Sequence, residues 1–212
     1  SQNFLRDQTI IQNIAEEAAS SKTILEIGAG EGVLTEELAK RAKKIIALEF
    51  DHDLIPELLN RFPLSSNVSV IEADILRTDI PGILKKYGWK GEPYDVFGNI
   101  PYAITGKIIR LLTSLDPVPN KIVLMVQKEV AERIVAKDGK QSLLSLSVAL
   151  FGTSKILFTV PKEAFFPAPH VESAVIRITP DPDRLSLEER EQILRLAKIG
   201  FASKRKTLIN NF

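Results

Sequence analysis

The stretch Thr23-Ile24-Leu25-Glu26-Ile27-Gly28-Ala29-Gly30-Glu31-Gly32 decides the fold class. Its first half reads as a short, mostly apolar strand, its glycines break that strand, and Val33 to Ala42 resumes at helical spacing. Strand, glycine-rich turn and helix form the ligand-facing corner of an open α/β sheet. Glycine lets a ligand approach the backbone closely, and the helix N-terminus offers free N–H groups. The spacing separates two ligands. A dinucleotide site wants G-x-G-x-x-G, whereas here Gly28 and Gly30 are followed by Gly32, with Val33 at the third fingerprint position. Glu26, two residues before the first glycine, is awkward beside a pyrophosphate and suits an ammonium group.

The alternation continues in both directions. Asp7 to Ala19 predicts an amphipathic helix with Ile10, Ile11, Ile14, Ala15 and Ala18 on one face, preceded by the aperiodic segment Gln2-Asn3-Phe4-Leu5. Lys44 to Leu48 predicts a second strand, ending at Glu49-Phe50-Asp51, and Val68 to Ile71 a third, ending at Glu72-Ala73-Asp74. Between them Asp53 to Phe62 reads as helix, with Pro56 in its first turn. Glu49 stands where a carboxylate would accept both hydroxyls of a ribose, about twenty residues beyond the glycine turn. Asp74 stands where it would accept from an adenine amino group. Singly, each acid also fits a strand end or a helix cap. Together, beside a glycine turn, they describe S-adenosylmethionine better than NAD.

A fourth strand, Tyr94 to Phe97, ends at Gly98 and runs into Asn99-Ile100-Pro101-Tyr102. Proline cannot continue a ladder and holds Ile100 extended, so the Ile100 carbonyl leaves regular structure. The Asn99 side chain adds a second acceptor, and Tyr102 a flat face. Two acceptors and an aromatic plate would hold the amino group of a flat base. Alone, the tetrapeptide is weak evidence, because a strand-ending turn with a buried tyrosine is the commoner explanation of such a string.

Helices are predicted over Ile80 to Tyr87, Thr105 to Ser114, Lys128 to Ala136 and Gln141 to Phe151, and a fifth strand over Lys121 to Val126. Lys155 to Val160 and Val171 to Ile178 predict two more strands, separated by the proline-rich Pro161 to His170 and by no helix. The pattern implies an α/β fold with a seven-stranded, mostly parallel sheet and an antiparallel edge hairpin. Residues 1–180 form one domain in this reading. Asp181-Pro182-Asp183 reads as a linker, Leu187 to Phe201 as a helix, and 181–212 as the start of a small, helical, basic domain.

Totals exclude several classes. A chain of 212 residues, 44% apolar, supports one substantial domain and a small appendage. With no cysteine and only His52 and His170, disulfide frameworks and metal sites are not expected, and both histidines read as turn or surface residues. No apolar run spans a membrane and no secretory pattern opens the sequence, so a cytoplasmic location is expected. Ser1 is not methionine and Phe212 falls within a helical pattern, so both ends are expected to be trimmed or disordered. The net charge of +1 says nothing global about nucleic acid, but Leu194 to Phe212 carries Arg195, Lys198, Lys204, Arg205 and Lys206 with no acid. Such a stretch suits phosphate contact or a solvated helix face. Lys137 to Lys140 reads as a polar loop near the substrate side.

These motifs resemble the class I methyltransferases and, more closely, the KsgA (RsmA) family of ribosomal RNA adenine dimethyltransferases. The likeness rests on Gln2–Leu5, Leu25–Gly32, Leu48–Asp51, Glu72–Asp74, Asn99–Tyr102, Phe165–Ser173 and Lys204–Phe212. The glycine turn marks only the superfamily; N-I-P-Y together with F-x-P-x-P-x-V-x-S is far more specific. The resemblance implies that Asn3 and Leu5 line the cofactor pocket, that Gly28 with Gly30 meets the methionine portion, and that Glu49 and Asp74 take ribose and adenine. It places Asn99 where cofactor and base meet. It further implies dimethylation at N6 of two adjacent adenosines near the 3′ end of 16S rRNA, in a small-subunit assembly intermediate, by a monomeric enzyme.

The expected chemistry is an in-line displacement. Acceptance of both N6–H bonds by Asn99 Oδ1 and the Ile100 carbonyl would make the nitrogen more tetrahedral and aim its lone pair. Tyr102 would stack on the base, with Phe165, the first aromatic of its motif, on the other side. The nearest rival is an erythromycin-resistance-type 23S rRNA methyltransferase, followed by a non-catalytic rRNA-binding assembly factor. An NAD-dependent dehydrogenase is third, disfavoured by Val33.

Overall fold

The computed structural model describes residues 3–19, 21–136 and 142–201. In chain order its elements are β1 (Phe4–Leu5), α1 (Gln8–Glu16), β2 (Thr23–Ile27), α2 (Val33–Ala39), β3 (Lys44–Glu49), α3 (Ile55–Arg61) and β4 (Val68–Glu72). Then follow α4 (Ile80–Lys86), β5 (Tyr94–Asn99), α5 (Thr105–Thr113), β6 (Lys121–Gln127), α6 (Lys128–Val135) and α7 (Leu143–Phe151). The last are β7 (Gly152–Val160), β8 (Phe165–Phe166), β9 (Ser173–Pro180) and α8 (Leu187–Phe201).

Seven strands make one sheet in the order β4-β3-β2-β5-β6-β9-β7. β4, β3, β2, β5 and β6 run parallel, and β9 is antiparallel to both β6 and β7. The mostly parallel sheet with an antiparallel edge expected from the pattern is therefore present. Parallel strands covered on both faces lose the apolar–polar alternation, which is why β2, β3, β5 and β6 read as nearly continuous apolar runs. Alternate residues still feed different layers. Leu25, Ile27, Ile46, Leu48 and Val96 pack with α4, α5 and α7, whereas Ile24, Ile45, Ala47 and Phe97 pack with α1, α2 and α3.

Ends are set by local chemistry. Asp7 caps α1, accepting from Thr9 N at 2.9 Å and Ile10 N at 3.1 Å, so the helix starts one residue later than its apolar pattern. Pro56 sits in the first turn of α3. Ser142 and Ser145 cap α7 reciprocally. β7 begins at Gly152, directly after α7, and carries an irregularity between Ile156 and Phe158; β9 runs Ser173–Pro180, starting and ending two residues later than the predicted span. The aperiodic entry segment and the proline-rich loop form an unexpected ladder, with Phe4 paired to Phe166 and Leu5 to Phe165, extended by Arg6 N donating to Ala164 O at 2.7 Å.

From β2 the chain steps outward to β3 and β4, then returns to place β5 on the other side of β2. That reversal opens a crevice beyond the carboxyl ends of β2 and β5. Past the linker, α8 lies against α7, and Arg190 is its buried anchor. Its Nη1 donates to Thr113 O at 2.6 Å and its guanidinium sits 5.6 Å from the Phe151 ring centre. Among the described residues no helix is long and apolar enough to cross a membrane.

Candidate active site

The crevice is built from backbone first. Gly28, at φ +74°, leaves β2 with its N–H donating to Leu48 O at 2.8 Å. A Cβ there would lie 3.1 Å from Asn99 O, so the glycine turn and the end of β5 approach more closely than side chains allow. Gly98 does the same from the opposite strand: its Cβ would meet Ile27 O at 2.7 Å. Asn99 is thereby held against the turn.

A cavity of about 280 Å³ opens at this junction. Of the residues nominated from sequence, Asn3, Gly28, Gly30, Glu49, Asn99, Ile100, Pro101 and Tyr102 line it. Phe4 and Ala103 line it as well. Sequence reasoning passed over both, since a two-residue strand has no period and an alanine no chemistry; the Q-N-F-L motif was the one available signal for Phe4.

Glu49 is nearly buried and holds the turn in place. Its Oε2 accepts from Gly30 N at 2.7 Å, and its Oε1 from Phe50 N at 2.8 Å and Asp51 N at 2.9 Å. A carboxylate has about four lone-pair sites, so one is left for a ligand hydroxyl. Asn99 is half-buried, and no group among the described residues bonds its side-chain amide. Beyond it the ladder stops: Ile100 turns its side chain into the core, and the Pro101 carbonyl accepts from Ile104 N at 3.2 Å, starting the tight turn that carries Tyr102. The Tyr102 hydroxyl meets Ser173 Oγ at 2.5 Å, and partial burial pushes its pKa upward.

Glu26 is of a different kind. It is wholly buried, does not line the cavity, and neither carboxyl oxygen has a hydrogen-bond partner among the described residues. Burial, reinforced by the nearby Glu49 charge, pushes its pKa up to about 8. The Thr35 hydroxyl, in the first turn of α2, pulls the other way more than Glu49 pushes, and it completes no hydrogen bond among the described residues. Thr35 was also overlooked, although it sits one helical turn beyond the glycines.

Three further nominated residues lie outside the cavity lining. Asp74 caps its own turn, accepting from Leu76 N at 3.0 Å, with Arg77 Nε 3.6 Å away. Leu5 is buried in the core, and so is Phe165, its ladder partner. At 5% exposure Phe165 offers no open ring face, whereas Phe166 is 69% exposed. The ladder explains the difference, because residues paired across it alternate between the core and the surface. Gln2, the Lys137 to Lys140 loop and the Lys204–Phe212 string lie outside the described residues.

Comparison with known proteins identifies the family. The family described as Ribosomal RNA adenine dimethylase matches residues 1–212. Ribosomal RNA small subunit methyltransferase A of Dehalococcoides mccartyi is 39% identical over 212 residues, covering 99% of this chain and 72% of that relative. The crystal structure of a dimethyladenosine transferase from Plasmodium falciparum superposes with a TM-score of 0.80 at 31% identity, covering 99% of this chain and 74% of the other. That of the 23S rRNA methyltransferase ErmE gives 0.79 at 28% identity, with 99% and 83% covered.

Proposed function

The chain belongs to the ribosomal RNA adenine dimethylase family, and from that premise we propose that it methylates N6 of two adjacent adenosines near the 3′ end of 16S rRNA. S-adenosylmethionine is the donor in this reading, and a small-subunit assembly intermediate the substrate. The observation that carries it is Asn99: its backbone is locked against the glycine turn, it lines the cavity, and its amide is unengaged.

The residues present fit the donor. When bound, S-adenosylmethionine supplies a methyl group already activated on a sulfonium. Gly28 and Gly30 admit its amino-acid portion, and the free lone pair of Glu49 takes a ribose hydroxyl. Asp74 keeps unused lone pairs for the adenine amino group. Glu26 stands behind the turn without lining the cavity; its carboxyl holds a proton in the ligand-free fold, and the cationic end of the donor favours its ionised form, so its part is electrostatic rather than by contact. Asn99 Oδ1 and the Ile100 carbonyl accept the two N6–H bonds of the target, directing the nitrogen lone pair. A neutral acceptor orients the amino group without abstracting its proton.

Tyr102 supplies the stacking face. Extruding the base costs a few kcal/mol, and stacking returns roughly 1–3 kcal/mol. Phe165, packed beneath the surface, positions Leu5 and hence the segment carrying Asn3 and Phe4. Residues 1–180 are the methyltransferase unit, 181–212 begin a small basic domain, and the protein works as a cytoplasmic monomer.

Small subunits lacking the modification, incubated with methyl-labelled donor, test the reading. Label at N6 of two neighbouring adenosines of 16S rRNA is expected. Label on naked 23S rRNA instead would move the chain to the ErmE-like activity, and binding without label would make it an assembly factor.

A further inference from the structure

Two motifs far apart in sequence meet at a single hydrogen bond. Tyr102, from N-I-P-Y, and Ser173, the last residue of F-x-P-x-P-x-V-x-S, are joined hydroxyl to hydroxyl at 2.5 Å. Ser173 is wholly buried as the first residue of β9, and its backbone is fixed on both sides by pairing with Gln127 of β6 and Val160 of β7. Just before it, the Glu172 carbonyl accepts from Lys128 N at 3.0 Å, and the Glu172 carboxylate meets Lys128 Nζ at 2.8 Å. The hydroxyl of Ser173 is therefore presented from one of the most constrained points of the sheet.

Tyr102 is the opposite case. It sits in a single tight turn after Pro101, at the cavity wall, half-buried and without a regular ladder. A phenol tethered only at its Cα swings about two side-chain torsions. Tethered also at its hydroxyl, its long axis is fixed, and only rotation about that axis remains. We propose that Ser173 is a positioning residue for methyl transfer: it pins the Tyr102 hydroxyl and so sets the position and long axis of the ring on which the target adenine stacks relative to Asn99. This rests on the stacking role given to Tyr102 above. Misalignment by a fraction of an ångström weakens an in-line displacement far more than it weakens RNA binding, which phosphate contacts dominate.

The test is a double-mutant cycle read by steady-state kinetics on small subunits lacking the modification. Ser173→Ala and Tyr102→Phe each remove one hydroxyl and keep the packing. Each should lower kcat about tenfold while leaving KM for the subunit and the donor Kd within about twofold. Because both remove the same bond, the double variant should be no worse than either single one. An RNA carrying 2-aminopurine at the target position should also lose part of its stacking-dependent quenching in Ser173→Ala. Additive losses, or a fall in kcat matched by a fall in thermal stability, would overturn the pin and leave Ser173 a packing residue. Tyr102→Ala separates the two readings. If it is inactive while Tyr102→Phe and Ser173→Ala turn over normally, stacking stands and the pin fails; if Tyr102→Ala is itself fully active, stacking fails too.

Discussion

The two ends of the same strands treat buried polar groups in opposite ways. At the amino end of β5, Asp95 is nearly buried and completely engaged: Ser21 Oγ and Asn120 Nδ2 donate to it, the latter at 3.0 Å, and Lys121 Nζ lies 3.5 Å away. The neighbouring Tyr94 hydroxyl donates to Pro117 O at 2.8 Å. At the carboxyl end of the adjacent β2, Glu26 is buried more deeply and, among the described residues, neither it nor Thr35 has a hydrogen-bond partner and the Asn99 amide is open. A buried polar group without a partner costs stability, so satisfied clusters hold a fold together while unsatisfied ones mark where something else is to bind. One end of the sheet is finished. The other waits for its ligands.

If this contrast is functional, substitutions at the two ends should separate activity from stability. Asn99→Ala should cut methyl transfer by roughly a hundredfold or more, with donor affinity and melting temperature close to wild type. Comparable turnover in that variant, measured with labelled donor, would break the contrast at its open end. Asp95→Ala should do the reverse. By removing the ion pair with Lys121 and the acceptor of two buried donors it should lose about 3 kcal/mol in denaturant unfolding, while the folded fraction keeps its specific activity.

Glu26 sharpens the comparison through pH. Its carboxyl is raised from 4.5 to about 8 in the folded protein, so between those values the folded form keeps a proton that the unfolded chain releases. Stability from this group is full below pH 4.5 and falls as pH rises towards 8. Glu26→Gln, which does not titrate, should therefore gain on wild type by roughly 2 kcal/mol between pH 5 and 7 in ligand-free unfolding experiments. A constant gap across that range would mean that Glu26 is already ionised. The smallest effect expected is at Glu49, which belongs to both ends in character, being engaged by three N–H groups yet lining the cavity. Glu49→Ala should weaken donor binding about tenfold by calorimetry, and unchanged affinity would remove it from the pocket.

Sequence made the central sheet readable for a physical reason. β2, β3, β5 and β6 are covered on both faces, so each is a dense apolar run bounded by polar or glycine punctuation. The glycine turn and Asn99 were readable because few residue types tolerate such close backbone approach. Partnership was not readable. Asp74 and Glu26 are both acids near strand ends, yet one bonds its own turn and the other bonds nothing, a distinction that lies wholly in three-dimensional contacts. Phe165 and Phe166 are adjacent and chemically identical, and only the ladder with Leu5 and Phe4 decides which ring is covered. Nothing in the helical stretch Leu187 to Phe201 singles out Arg190, which is buried against Thr113 and Phe151 because α8 folds back onto α5 and α7.

That small ladder between Phe4–Leu5 and Phe165–Phe166 also imposes a schedule. Synthesis delivers β1 first and β8 among the last elements, so the N-terminal residues spend most of translation with no strand to pair with. Closing a loop that encloses nearly the whole sheet is entropically the most expensive contact in the molecule, and it becomes favourable only once the intervening strands are in place. Asn3 and Phe4 consequently join the cavity wall late. A chain interrupted before β8 would carry the glycine turn and Asn99 yet lack that wall, so competence to hold the methyl donor reports that synthesis has passed β8.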